Sequence, residues 1–381
     1  MGGAVRIGRI ELTNFRNYQR LALDLPEGLS LVVGSNGQGK TNLVDAIHIM
    51  ATGRSLRAGP EASWVRFEAS STEGFARLYS SLVSADGPSE VEVVVARTRP
   101  EDGEYSGVRR RVRIDGLRRR VAELSGQLLA VSFSPMDLEF WTGSPSGRRR
   151  WLDTAAAQLD RAYMGTLEDY EALLSRRNAL LRRVQAGQSS AEELGFWDDR
   201  IAVPAVALGM ARQHYLERIG PGVAEAFGAM GEALAFEIEY RPSSDTNDPA
   251  GYAAMLLEIR DVDVTRGTSS TGPHRDDVGG LLEGRPIAHV GSRGQLRVAA
   301  LSLKLAQHDL ARLDRAEAPV LLLDDMGAEL DLNHRKLLME RIPRDAQVLA
   351  TAADPGLFGD SSVRPVAGFR VSDGEIFELD G

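Results

Sequence analysis

The chain contains no cysteine, which excludes disulfides and zinc–thiolate sites and points to a reducing compartment. No run of about 18 apolar residues occurs, so no membrane-spanning helix is expected. The opening MGGAVRIGRIELTNFRN lacks the charged-then-apolar layout of a secretory leader. Together these absences predict a cytoplasmic protein with no membrane partner. A surplus of positive charge is missing too: the net charge over 381 residues is −9. That argues against coating nucleic acid through bulk charge, so any polyanion contact must be local. One local candidate is VRRRVRIDGLRRRV (108–121), where Arg109, Arg110, Arg111, Arg113, Arg118, Arg119 and Arg120 are offset only by Asp115.

What is present suffices for a packed core, with 43% hydrophobic residues. The first third alternates like strands in RIGRIELTNF, RLALDL, LSLVVG, ARLYSSLVS and EVEVVVART, and Asp115-Gly116 marks a hairpin turn. Near residue 145 the character changes. RRRWLDTAAAQLDRAYMGTLEDYEALLSRRNALLRRV is nearly free of glycine, with Leu167, Tyr170, Leu174 and Leu181 near heptad spacing and Asn178 interrupting the stripe. This predicts one helix of roughly 45 Å. AGQSSA (186–191) reads as a turn into a second helical stretch, which Pro204 should kink or restart. Strands return at FEIEYRP, APVLLLDD and QVLATAAD, and FRVSDGEIFEL predicts a last hairpin. The expected architecture is an α/β head built from two sequence halves, 1–145 and 236–381, around an inserted helical arm, 146–235.

GSNGQGKT (34–41) has the form G-x-x-x-x-G-K-[ST], with an apolar strand leading in and a helix leading out. Gly34, Ser35, Asn36, Gly37, Gln38 and Gly39 form a loop whose backbone N–H groups can curl around phosphate oxygens, helped by the helix dipole. Lys40 would reach the β- and γ-phosphates of ATP, and the Thr41 hydroxyl would ligate Mg²⁺ at a helix start that continues through Asn42. VLLLDD (320–325) predicts a buried parallel strand that delivers Asp324 to its C-terminal end. Asp324 would hold Mg²⁺ and Asp325 would polarise the attacking water.

A simple P-loop kinase would leave GSRGQLR (291–297) unexplained. Ser292, Gly294 and Gln295 stand at the start of a regular amphipathic helix, some 30 residues before the acidic pair. That order is the one found in ABC-type ATPases, where a signature serine and glycine bind the γ-phosphate held by a second subunit. A helix start suits a phosphate tail, and glycine permits close backbone approach. GAELD (327–331) then fits the D-loop, with Asp331 near the partner's nucleotide.

The chain resembles the RecF family of bacterial recombination mediators, relatives of SMC heads. The resemblance rests on LTNFRNY (12–18), GSNGQGKTNLVDAI (34–47), GRSLR (53–57), FSPMDLEFWTGSPSGRRRWLD (133–153), YEALLSRRNALLRR (170–183), STGPHRDDV (270–278), SRGQLR (292–297) and LLLDDMGAELD (321–331). It implies an ABC-type P-loop ATPase head with an inserted arm, an ATP-dependent homodimer, and binding to double-stranded DNA and single-strand/double-strand junctions. It further implies action in replication, gap repair and SOS induction, with RecR and RecO as partners in loading RecA, and slow DNA-stimulated ATP hydrolysis. Two departures from transporter-type ATPases fit weak hydrolysis: Thr351-Ala352-Ala353 stands where they carry a switch histidine, and Asp325 replaces their glutamate.

The alternative, a transporter's nucleotide-binding subunit, is disfavoured by the large insertion, the FRNY turn and the missing histidine. Some roles stay open in the sequence. Arg16 is either a nucleotide or DNA contact or a plain turn residue, and Gln127 is a Q-loop glutamine only if spacing allows. Arg148–Arg150 is a helix start or a DNA contact. His274, Arg275, Asp276 and Asp277 are better read as a buried ion-pair network than as a metal site.

Overall fold

Alternating apolar residues build the first sheet. In the computed structural model, which describes residues 5–57, 59–67, 69, 74–84, 87–98, 107–325, 332–342, 346–354 and 364–379, strands β1 (Arg6–Phe15), β2 (Tyr18–Asp24), β4 (Phe75–Ser84), β5 (Gly87–Thr98), β6 (Gly107–Ile114) and β7 (Leu117–Arg119) pair antiparallel in the order β2-β1-β4-β5-β6-β7. Their inward residues, among them Ile10, Leu12, Leu78 and Val93, are buried, as period-2 patterning requires.

Strands apolar on both faces make the second sheet. β3 (Leu29–Val33), β8 (Ala130–Phe133), β12 (Val320–Asp324), β13 (Val348–Ala352) and β14 (Ala367–Ser372) are parallel, and β15 (Glu375–Glu378) closes one edge antiparallel, in the order β15-β14-β3-β13-β12-β8. N-terminal and C-terminal segments therefore interleave within one sheet. Helix α1 (Lys40–Thr52) touches β8, β12 and β13 of this sheet and β4 and β5 of the other. It is buried along nearly its whole length and fills the space between the sheets.

The chain forms two units, Met1–Leu138 with Gln307–Gly381, and Glu139–Ala306. In the second, α2 (Pro145–Leu159), α3 (Tyr163–Gln185) and α4 (Leu194–Ala229) precede a small sheet of β9 (Phe236–Arg241), β10 (Asp277–Leu282) and β11 (Arg285–Pro286). The single 45 Å helix expected here is instead two. Asp160 is extended at φ −114°, and its side chain accepts a hydrogen bond from the Ala162 N–H, a local turn that competes with helix. At 23 residues, α3 is roughly 35 Å long. Pro204 does not restart α4, which runs 36 residues through Pro204 and Pro221. The carbonyls these prolines leave without a helical partner belong to Arg200 and Glu217, both exposed and open to water.

Between the helices the core is polar at two points. Arg177, fully buried, donates to Asp198 at 2.8 Å and to Asp263 and Ser269 at 2.7 Å each. The neighbouring Asn178, which breaks the apolar stripe, accepts from the N–H and hydroxyl of Ser269. Arg212 likewise joins Asp153, Asp276 and the Pro273 carbonyl. Removing the cation from such a cluster strands buried carboxylates. Arg177→Met should therefore lower the unfolding free energy by about 3–5 kcal/mol, whereas exposed Arg183→Met on the same helix should change it by under about 0.5 kcal/mol. Urea unfolding followed by tryptophan emission reads this unit, which holds Trp141, Trp151 and Trp197. Equal losses in the two variants would show that the buried pair does not hold the arm together.

Candidate nucleotide site

The loop 34–39 leaves β3, and its shape depends on glycine at two kinds of position. Gly37 has φ +84° in open space. Gly39 has φ +122°, and a Cβ there would lie 2.4 Å from Asn17 Nδ2 and 2.9 Å from the Tyr18 hydroxyl. Both the backbone region and the crowding demand glycine. Ser35, Asn36 and Gly37 are exposed at the loop's rim, and Lys40 is buried. The Lys40 ammonium donates to the carbonyls of Gly34 at 2.6 Å and Ser35 at 3.1 Å.

The turn after β1 braces this loop. Asn17 donates to the Gln38 carbonyl at 2.7 Å and accepts from the Asn42 amide at 2.7 Å, while the Tyr18 hydroxyl donates to the Gly39 carbonyl at 3.0 Å. Arg16, at φ +52°, ion-pairs at 2.6 Å with Asp45 on α1, which also accepts from Ser55 and the Leu56 N–H. Arg16 is thus a structural cation whose charge Asp45 neutralises. Arg57, in the GRSLR segment, donates to Asn42 Oδ1 at 3.2 Å. The sequence alone marks neither Asn17 nor Arg57 as a site residue; both lie in the FRNY and GRSLR motifs, whose partners only the fold supplies.

Two strands along, β12 ends at Asp324, with β13 between it and β3. Asp324 is buried and accepts from the Thr41 hydroxyl at 3.0 Å and the Thr351 hydroxyl at 2.8 Å. Burial pushes its carboxyl above the usual range and the neighbouring Asp325 adds to this, while the two hydroxyl bonds oppose it. Asp325 follows at φ +51°, and its Oδ1 is buried with no hydrogen-bond partner among the described residues. A hydroxyl and an acidic oxygen in contact, beside an unsatisfied carboxylate oxygen, is a donor set that fits Mg²⁺. Gln127 donates to the Glu123 carbonyl at 3.3 Å. Asp331 and the rest of 327–331 lie outside the described residues.

In the other unit, Ser292 and Gln295 form a reciprocal capping box at the start of the helix Arg293–Arg315: the Gln295 N–H donates to Ser292 Oγ at 3.2 Å and the Ser292 N–H to Gln295 Oε1 at 2.9 Å. Capping accounts for the serine and the glutamine. It does not account for Gly294, which is exposed and whose added Cβ would meet only Ser292 Oγ, at 3.8 Å.

The remaining motifs are structural. His274 accepts from the Tyr170 hydroxyl at 2.7 Å if its other nitrogen donates to the Ser269 carbonyl, 3.1 Å away, and burial lowers its pKa below the usual imidazole range. Asp276 meets Arg212 at 3.1 Å, and among the described residues no group of three or more His, Asp and Glu is placed to hold a metal ion. Arg148 forks onto Asp277 at 2.7 and 2.8 Å, and Arg149 donates to the Asp276 carbonyl. Of the two readings left open for Arg148–Arg150, these bonds account for Arg148 and Arg149 as residues that tie the start of α2 to the 276–277 segment.

The family model described as RecF/RecN/SMC N terminal domain matches residues 6–373. The chain belongs to this family. It is 37% identical to the DNA replication and repair protein RecF of Roseiflexus castenholzii, over 97% of this chain and 99% of that one. The RecF of Herpetosiphon aurantiacus is 35% identical with the same coverage. A solved structure of the recombination mediator RecF with ATP superposes with a TM-score of 0.85 at 28% identity, covering 99% of this chain and 98% of that one. An SMC head bound to the winged-helix domain of ScpA matches at 0.54 and 16% identity, a likeness of fold. RecF membership over nearly the full length displaces the transporter alternative, and no helix among the described residues is long and apolar enough to cross a membrane.

The braced loop predicts a graded response. Gly39→Ala should weaken ATP binding at least tenfold, because its Cβ falls on Asn17, with the melting temperature nearly unchanged. Gly37→Ala, strained in φ but unobstructed, should cost about 1–3 kcal/mol of loop strain at most and a smaller loss of affinity. Isothermal titration with ATP ranks the two; a reversed ranking would refute the bracing by Asn17.

Proposed function

We propose that this chain is an ATP-gated dimeric DNA-binding protein of the cytoplasm that works in replication and repair, as its RecF relatives' names indicate, and specifically in the repair of gaps. The observation that carries the reading is Gly294: a glycine at an exposed helix start that the chain's own packing does not need, in a chain that also has a complete phosphate loop. Its use is to let a second copy's ATP approach. In this mechanism the loop N–H groups bind the phosphates, and Lys40 leaves the Gly34 and Ser35 carbonyls for the β- and γ-oxygens. Thr41 and Asp324 would hold Mg²⁺, which supplies charge neutralisation for the leaving phosphate. Asp325 orients the attacking water. Ser292 and Gly294 complete the site from the opposite copy, with Asp331 beside it.

DNA binding then belongs to a surface that dimerisation doubles. The arginine hairpin is the candidate. Arg113 and Arg118 lie directly opposite in register, an arrangement that repels in an isolated sheet and is relieved by a polyanion. Four of its arginines have acidic neighbours: Arg110 with Glu61, Arg113 with Glu92, Arg119 and Arg120 with Glu123. Arg109, Arg111 and Arg118 have none among the described residues. Duplex DNA and single-strand/double-strand junctions are the proposed targets. RecR and RecO are the proposed partners in RecA loading, with SOS induction downstream, and hydrolysis is slow and DNA-stimulated.

Sedimentation should show a monomer without nucleotide and a dimer with ATP. Ser292→Arg should abolish the dimer while the monomer keeps its ATP affinity; a variant monomer that cannot bind ATP would mean the site is complete in one chain. For DNA, each phosphate contact contributes about 0.9 to the salt slope of duplex binding. Changing Arg118, Arg119 and Arg120 to alanine should flatten that slope and weaken binding alike for all sequences, with dimerisation intact. An unchanged slope and affinity would place the DNA track elsewhere.

A further inference from the structure

We infer that Thr351 is the residue that positions the hydrolytic carboxylate, an inference that rests on Asp325 orienting the attacking water. Thr351 lies on β13 between β3 and β12, paired in register with Val32 on one side and Asp324 on the other. Its side chain is fully buried. A hydroxyl there must find partners within the protein, and it finds two. It donates to Asp324 Oδ1 at 2.8 Å and accepts from the Asp325 N–H at 3.0 Å. One side chain thus grips two successive residues of the neighbouring strand, and the Asp325 N–H also reaches the Thr351 carbonyl at 3.2 Å.

The grip falls where the strand breaks. Asp325 has φ +51°, a region that non-glycine residues seldom adopt. Without the hydroxyl, the Asp325 N–H keeps only the longer bond to the Thr351 carbonyl at 3.2 Å, and Asp324 loses its side-chain tie to β13. The backbone at Asp325 is then freer to relax towards extended conformation, and the direction of its side chain changes with it. The Asp325 Oδ1 is buried and has no hydrogen-bond partner among the described residues, so no other contact aims that oxygen. Thr351 therefore stands where transporter-type ATPases carry a switch histidine and does something different. It acts on the acidic pair through the strand instead of reaching the phosphate itself. A displacement of about 1 Å in such a group costs on the order of a hundredfold in rate.

The test is steady-state ATP turnover in the presence of DNA for Thr351→Val, which keeps the shape and removes both bonds, and Thr351→Ser, which keeps the hydroxyl. Asp325→Asn is assayed beside them. Thr351→Val should lower kcat ten- to a hundredfold with the KM for ATP within threefold and the ATP dimer still forming, and Thr351→Ser should restore kcat to within threefold of the parent. Wild-type kcat in Thr351→Val, with Asp325→Asn inactive, overturns the inference alone. Wild-type kcat in Asp325→Asn overturns the assignment of Asp325, and the inference with it. Loss of ATP binding in Thr351→Val, or a serine variant as slow as the valine one, also overturns it. Should the valine variant not fold, Thr351→Ala, which only removes atoms, carries the same comparison of kcat with KM.

Discussion

Everything at the nucleotide site depends on one buried carboxylate. Asp324 is held under the phosphate loop by hydroxyls from two directions, Thr41 on α1 and Thr351 on β13. Thr41 lies 283 positions before Asp324 in the chain, and Thr351 lies 27 positions after it. An unpaired carboxylate would not be buried there, because desolvation favours its neutral form. The two hydroxyl bonds oppose that desolvation without cancelling it. In the interleaved order β3, β13, β12, the loop, the threonine that contacts the acid and the acid itself occupy the C-terminal ends of successive strands of one parallel sheet.

That arrangement explains what was legible in the sequence. A phosphate loop is a local object, read from spacing within eight residues, and so is a capping box. Strands such as Arg6–Phe15 and Phe75–Ser84 announce themselves by period-2 alternation. Partner choice across strands is not local. That Thr351 faces Asp324, that Asn17 braces Gln38, and that Arg113 meets Glu92 depend on register between segments far apart in sequence. The arginine hairpin shows the consequence. Judged within its own fourteen residues it carries one offsetting acid, whereas in the sheet Glu61, Glu92 and Glu123 come alongside.

Helix length failed for a related reason. Residues 146–185 have the composition of one helix, and propensity summed over a window cannot register a single competing turn. Asp160 decides the break through its own side chain and the Ala162 N–H. Pro204 is the converse case. A strong local signal for interruption is overridden where α4 packs against α3 and the carbonyl left without a partner belongs to an exposed residue, Arg200. Tertiary packing settles both outcomes.

The arm unit shows a second design choice. Arg177 and Arg212 bury guanidinium groups among carboxylates where leucine would pack at no desolvation cost. Each arginine joins segments distant in sequence: Arg177 links α3 to Asp198 on α4 and to Asp263, and Arg212 links α4 to Asp153 on α2 and to Asp276. A forked, directional contact specifies one register between helices, where an apolar stripe permits several. A helical hairpin with apolar contacts alone could slide by a turn at modest cost. Sliding α3 along α4 would break the Arg177–Asp198 pair, and moving α4 against α2 would break Arg212–Asp153, so the unit that carries Ser292 and Gly294 has its helices pinned in one register by buried ion pairs.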